Sequence, residues 1–175
     1  MKAGILALAV VVAAAAGWTD YRSRRIPNWL TVPGVLVGIA VNTLTAGWSG
    51  LKTSLLGVGL GLLVLLPFVL LRSLGAGDWK LAGALGAFVG PSVLLNLLLA
   101  SIFVAGAMAV VLIIYKRRVR ETLRNMGHML SAFAHGRLPG AEVSLDNPDS
   151  LKVPYGIALA LTVVVYGIAR TKGVV

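Results

Sequence analysis

Residues 78–115, DWKLAGALGAFVGPSVLLNLLLASIFVAGAMAVVLIIY, decide how this chain folds. Read as one helix, Asp78 to Tyr115 is 38 residues, ~57 Å at 1.5 Å per residue. A single span has to cross only about 30 Å of hydrocarbon. Gly90-Pro91 falls about a third of the way along, and proline has no N–H for the preceding turn while its ring clashes with it. The stretch therefore reads as a tight hairpin of two spans, with Asp78 at its open end.

The rest of the chain has the same character. Its 58% hydrophobic and 13% charged residues, with a mean hydropathy of +0.89, do not suit a water-facing surface. Inside a bilayer every backbone polar group needs an internal partner, so long apolar runs mean helices. Six are predicted: Ala3 to Trp18, Trp29 to Ala46, Ser54 to Leu71, Trp79 to Gly90, Ser92 to Tyr115 and Val153 to Ile168. The fold class is all-α, a polytopic membrane helix bundle of about six transmembrane helices. It forms a single membrane-embedded domain over residues 1–175, with an amphipathic and loop insertion at 116–152. The first segment also looks like a secretory signal, with Lys2 ahead of an apolar stretch and Ala14-Ala15-Ala16 as a small-residue site. Arg22, Arg24 and Arg25 directly after it resist translocation, which favours a retained span.

A net charge of +10 would suggest nucleic acid in a soluble protein, but here the basic residues sit mainly between apolar runs. The pattern is topological, and no nucleic-acid partner is expected. Twelve lysines and arginines fall on one side (Arg22, Arg24, Arg25, Arg72, Lys80, Lys116, Arg117, Arg118, Arg120, Arg124, Arg137, Lys152), against Lys2, Lys52, Arg170 and Lys172 on the other. The first side is therefore expected in the cytoplasm, with both chain ends outside. Within the insertion, Val119, Leu123, Met126, Leu130 and Phe133 recur at helical spacing opposite Arg120, Arg124 and Asn125, an amphipathic helix suited to lie on membrane lipids. Gly136 to Ser150, with Pro139-Gly140 and Asn147-Pro148, reads as a loop.

Cysteine is absent, which removes disulfides, thiol nucleophiles and thiolate metal sites. His128 and His135 read as surface residues, and no metal or cofactor is expected. Four of the six acidic residues (Glu121, Glu142, Asp146, Asp149) lie in the polar insertion, leaving Asp20 and Asp78 at span ends on the same side. Each has a plain explanation: Asp20 as an interfacial residue paired with an arginine while Asn28 caps the second span, and Asp78 as the N-cap of the fourth. Each also has a functional one, since Gly75 and Gly77 permit a close approach that sets Asp78 against another helix. Two carboxyls within hydrogen-bond reach do not both ionise easily, so one acts as general base and the other as general acid on a water attacking a peptide carbonyl.

At these residues the chain resembles the prepilin peptidases, membrane aspartic proteases of the type IV leader peptidase family. Gly75-Ala76-Gly77-Asp78 matches their Gly-x-Gly-Asp motif, followed by Lys80. Asp20 with Arg22, Ile26, Pro27 and Asn28 looks like the first catalytic segment, and Pro154-Tyr155-Gly156-Ile157-Ala158 is similar to the signature opening the last span. The resemblance implies Asp20 and Asp78 as catalytic residues, supported by Gly75, Gly77, Lys80, Arg22, Pro27, Asn28, Pro154 and Gly156. It implies leader removal from prepilins and pseudopilins at the cytoplasmic face of a bacterial inner membrane. Larger relatives also N-methylate the new end through a domain with a tetracysteine site, so a chain without cysteine looks like the small Tad/Flp pilus type. A presenilin-like protease shares Gly-x-Gly-Asp, but there a tyrosine precedes the first aspartate, whereas here Tyr21 follows Asp20. Other classes stay open: a proton-coupled transporter, and a non-catalytic pilus assembly factor. The oligomeric state is left unspecified.

Overall fold

The computed structural model describes residues 3–134 and 153–173. The loop expected at 136–150, with Arg137, Glu142, Asp146 and Asp149, lies outside the described residues, as do His135 and the side chains of His128, Leu130 and Phe133. Five helices follow one another: α1 (Ala3–Ser23), α2 (Asn28–Leu70), α3 (Ala76–Tyr115), α4 (Val119–Ala134) and α5 (Tyr155–Thr171). No strand occurs among the described residues. α2 and α3 each consist of two arms, so with α1 and α5 they supply the six segments of a helical membrane bundle.

Both breaks occur at glycines whose φ is positive, a conformation that costs other residues (Gly47 φ 59°, Gly90 φ 76°). In α2 the two arms turn back on each other. Gly38 lies against Ala87 and Gly57 against Gly86, whereas a straight helix would hold residues 38 and 57 about 28 Å apart. The sequence reading allowed a seven-residue connection at 47–53; the chain reverses with only Gly47 out of helical geometry. Gly57 and Gly86 meet backbone to backbone, so the second arm of α2 packs on the first arm of α3 with nothing between them.

The break in α3 creates a problem that two polar side chains solve. Pro91 cannot donate to the Ala87 carbonyl, and the turn at Gly90 disturbs the partner of Phe88 as well. Lipid offers no replacement donor. Asn42 Nδ2 donates to the Ala87 and Phe88 carbonyls (2.8 and 3.0 Å), and buried Ser54 Oγ donates to Ala87 (2.7 Å). Because Ala87 has two donors, either alone leaves it satisfied. Asn42→Ala plus Ser54→Ala is therefore expected to cost more than the two single changes added together. The double change orphans a buried carbonyl, worth about 1–3 kcal/mol. Unfolding in detergent micelles reads this directly, and a strictly additive double variant contradicts it.

The first arm of α3 is the centre of the bundle. Every residue from Leu81 to Gly90 is buried, so this arm is surrounded on all sides by protein. At 14 residues it is about 21 Å long, shorter than the hydrocarbon core. Trp79 ties its start to the second arm of α2 by donating to the Leu62 carbonyl (2.7 Å). On the other flank α1 and α5 run antiparallel, with Gly17 beside Ala160 and Gly167 beside Val10. Large apolar side chains such as Leu44, Leu63 and Phe103 point outward, as expected where the surrounding solvent is lipid. On α4, Val119, Leu123 and Met126 are exposed, and Arg118 pairs with Glu121 at 3.3 Å.

Two capping expectations need correcting. The residue before Asn28, Pro27, takes the N-cap position of α2 in extended geometry, and no side chain caps that end. Pro27 has already placed the chain at the entry angle, which leaves the Asn28 side chain free to accept from Lys80 Nζ at 2.9 Å. Likewise the N-cap of α3 is Gly75, which moves Asp78 to the third position of the first turn, where its carboxyl reaches back toward the Gly75 N–H instead of occupying the N-cap itself.

Candidate functional site

Four chain segments converge at one end of the bundle: the last turn of α1, the 24–27 connection, the first turn of α3 and the first turn of α5. Along α1 the buried positions Ala9, Ala13, Ala16 and Asp20 recur at steps of four, three and four, one continuous stripe facing the core. Asp20 is the last member of that stripe and is only 7% exposed. The three alanines above it make the stripe thin, which lets α1 lie close to its neighbours and carries the carboxyl inward. The helix stops at Ser23, one turn past Asp20: Arg24 has a φ of 50°, and Ile26 precedes Pro27, which disfavours helical geometry.

Asp78 comes from the opposite direction. It lies half-buried in the first turn of α3, and the Gly75 N–H turns back toward its carboxyl. Gly77 makes room for the 24–27 connection, since a β-carbon there would lie 3.1 Å from Ile26 Cβ and 3.2 Å from its backbone N. Ile26 is itself buried and forms an apolar wall of the site.

The two carboxyls meet over Gly156. A β-carbon built on this residue would lie 2.8 Å from Asp20 Oδ2, 2.9 Å from Asp78 Oδ1 and 2.8 Å from Ile26 Cδ1. Both oxygens are thus close to one point, and their separation is at most about 6 Å, within the range where one carboxylate acts directly on another. The backbone of α5 faces both: the Gly156 N–H is turned toward Asp78, and the Ile157 N–H, which also donates to the Pro154 carbonyl at 3.2 Å, toward Asp20. The positive end of the α5 dipole adds to this. Among the described residues Asp20 Oδ2 is buried without a hydrogen-bond partner, so it keeps an unused acceptor facing the site.

The other expected residues divide into two groups. Gly75, Gly77, Pro154 and Gly156 form the immediate frame: Gly75 and Pro154 are the N-caps of α3 and α5, and Gly77 and Gly156 leave the space that the site fills. Lys80 and Asn28 bond to each other and join α3 to the start of α2, rather than reaching the carboxyls. Arg22 is exposed on the last turn of α1, while Arg24 is the cation that acts on Asp20. No group of three or more histidine, cysteine, aspartate or glutamate side chains that could hold a metal ion is gathered among the described residues.

The sequence reading named Ile26 and Tyr155 only as members of the two matching segments, with no role of their own, and passed over Ser101. The Tyr155 hydroxyl and Ser101 Oγ lie 2.7 Å apart across 54 positions of sequence. Pro27 was the available signal for Ile26, and the position of Tyr155 inside Pro154–Ala158 was the one for the tyrosine. Ser101 had none beyond being a hydroxyl in an apolar arm.

Residues 6–110 match the family model described as the type IV leader peptidase family. The match includes Asp20, Ile26, Asn28, Asp78 and Lys80, and stops before α5. No curated protein and no solved structure matches the chain.

Proposed function

The chain belongs to the type IV leader peptidase family, and from that premise we propose that Asp20 and Asp78 are the catalytic pair of an aspartic endopeptidase. The observation that supports this most is the pair of carboxyl oxygens flanking Gly156, one of them buried and unpartnered. In this reading one carboxyl is ionised and the other holds a proton, the stable arrangement for two acids so close together. The ionised one takes a proton from a water as its oxygen attacks the scissile carbonyl. The protonated one donates to the carbonyl oxygen, and the tetrahedral intermediate then collapses with a proton passed to the departing amine. The Gly156 and Ile157 N–H groups hold the negative charge left on the pair.

The substrates we assign are prepilins and pseudopilins of the Tad/Flp type, whose apolar helices already lie in the membrane. Cleavage occurs at the cytoplasmic face of a bacterial inner membrane, the side that the lysine and arginine excess marks. The whole of residues 1–175 acts as one peptidase domain, with 116–152 as a cytoplasmic insertion. With no cysteine in the chain, the tetracysteine site of methylating relatives has no counterpart, and we assign cleavage without methylation.

Co-expression with a Flp-type prepilin tests this by mass spectrometry of the pilin N-terminus. The expected product has lost its leader and carries an unmodified amine. A pilin that keeps its leader overturns the assignment, and a methylated amine overturns the peptidase-only part of it.

A further inference from the structure

Tyr155 is the first residue of α5, directly before the two residues whose N–H groups face the aspartates. Its side chain is half-buried and its hydroxyl lies 2.7 Å from Ser101 Oγ, on the second arm of α3. Ser101 is fully buried, and its Oγ is also 2.7 Å from the Leu98 carbonyl. A carbonyl only accepts, so the serine proton goes to Leu98 and the serine lone pair is left for the phenol. The order is therefore Tyr155 to Ser101 to Leu98, a directed chain with each proton committed.

This chain ends where α5 begins. The first turn of α5 has no side-chain cap, and Pro154 contributes no N–H of its own. The Tyr155 hydroxyl is thus a side-chain tether that holds the first turn of α5 against the second arm of α3. Tyr155 directly precedes Gly156, over which the two carboxyls meet, and the Asp78 carboxyl acts electrostatically on the same phenol, so the tether lies beside the pair. A turn allowed to drift would carry the Gly156 and Ile157 N–H groups away from the carboxyls together.

We propose that Tyr155 and Ser101 are positioning residues, whose hydrogen bond holds the first turn of α5 so that its backbone N–H groups address Asp20 and Asp78. The proposal rests on the reading of those aspartates as the catalytic pair. Because the tether acts on the geometry of the reacting groups and not on substrate docking, its loss lowers kcat and leaves KM in place. Because the two residues act through one bond, losing both is no worse than losing either.

The test is kinetic, with purified enzyme in proteoliposomes and a prepilin substrate. It compares Tyr155→Phe, Ser101→Ala, their double variant and Ser101→Thr, with Asp20→Asn and Asp78→Asn as references. About a tenfold fall in kcat is expected for each of the first three, with KM unchanged and restoration by Ser101→Thr, which keeps the hydroxyl. Wild-type kcat in Tyr155→Phe, an effect confined to KM, or multiplied losses in the double variant overturn the tether. So does a wild-type rate in Ser101→Ala beside an impaired Tyr155→Phe, which assigns the phenol a direct role. Full activity in an aspartate reference removes the underlying reading instead, a result distinguishable from all the others. Should Ser101→Ala fail to fold, the near-isosteric Ser101→Cys, whose thiol is a weak hydrogen-bond partner, takes its place beside Tyr155→Phe.

Discussion

Asp20→Asn and Asp78→Asn are each expected to lower the rate of leader removal by about a hundredfold to ten-thousandfold, the contribution of a general acid or base. Asparagine keeps the shape of aspartate but neither takes nor gives a proton in the working pH range, so one half of the pair is lost while the frame survives. The double variant should be no slower than the singles, because a dyad missing one member has already stopped acting as a unit. Stability should move the other way. An amide at position 20 can donate to the Asp78 carboxylate, replacing repulsion between two acids with a hydrogen bond, so the single variants should melt at or above the wild-type temperature. Single-turnover cleavage and thermal unfolding in the same detergent separate these effects. Unimpaired cleavage by either single variant would end the aspartic assignment.

Gly156→Ala is the second large effect, and it arises from a single methyl group. The new carbon would sit 2.8 Å from Asp20 Oδ2 and 2.9 Å from Asp78 Oδ1, closer than real contacts allow. What must yield is decided by stiffness. The neighbours are the ends of three side chains, Asp20, Asp78 and Ile26, all of which can rotate away without moving a helix. The fold therefore survives, and the pair is pushed apart. Misplacing reacting groups by about an ångström costs on the order of a hundredfold in rate, and that is the loss expected here with little change in melting temperature. Gly57 and Gly86 provide the contrast, since there the obstructing atoms are backbone and the added methyl should cost folding itself. A Gly156→Ala enzyme with the wild-type rate, or one that is simply unfolded, contradicts this account.

Much of this architecture was legible in advance. Apolar run length together with Gly90-Pro91 was enough to divide 78–115 into two arms and to bring Asp78 to the same end as Asp20. The capping assignments for Asn28 and Asp78 failed because cap preferences describe an isolated helix end. Here the entering chain had already been oriented by Pro27 and Gly75. The stripe Ala9, Ala13, Ala16, Asp20 was present in the spacing and would have pointed the aspartate inward, but alanine is so common in α1 that its periodicity is hard to see. Partners far apart in sequence, such as Tyr155 with Ser101 or Asn42 with Ala87, leave no periodic trace at all. Only the packing of one helix on another creates them.

The short, fully enclosed first arm of α3 also constrains how the molecule is made. An arm with no lipid-facing side has no settled place in a bilayer until α1, both arms of α2 and α5 stand around it. α5 is the last of these helices to leave the ribosome. The helix bearing Asp78 therefore waits for α5 before its surroundings are complete, and so does the aspartate pair, whose third wall is Gly156. On the reading of the aspartates as the catalytic pair, a nascent chain halted before α5 would be inserted yet inert, so that proteolytic competence is withheld until α5 has been made and packed.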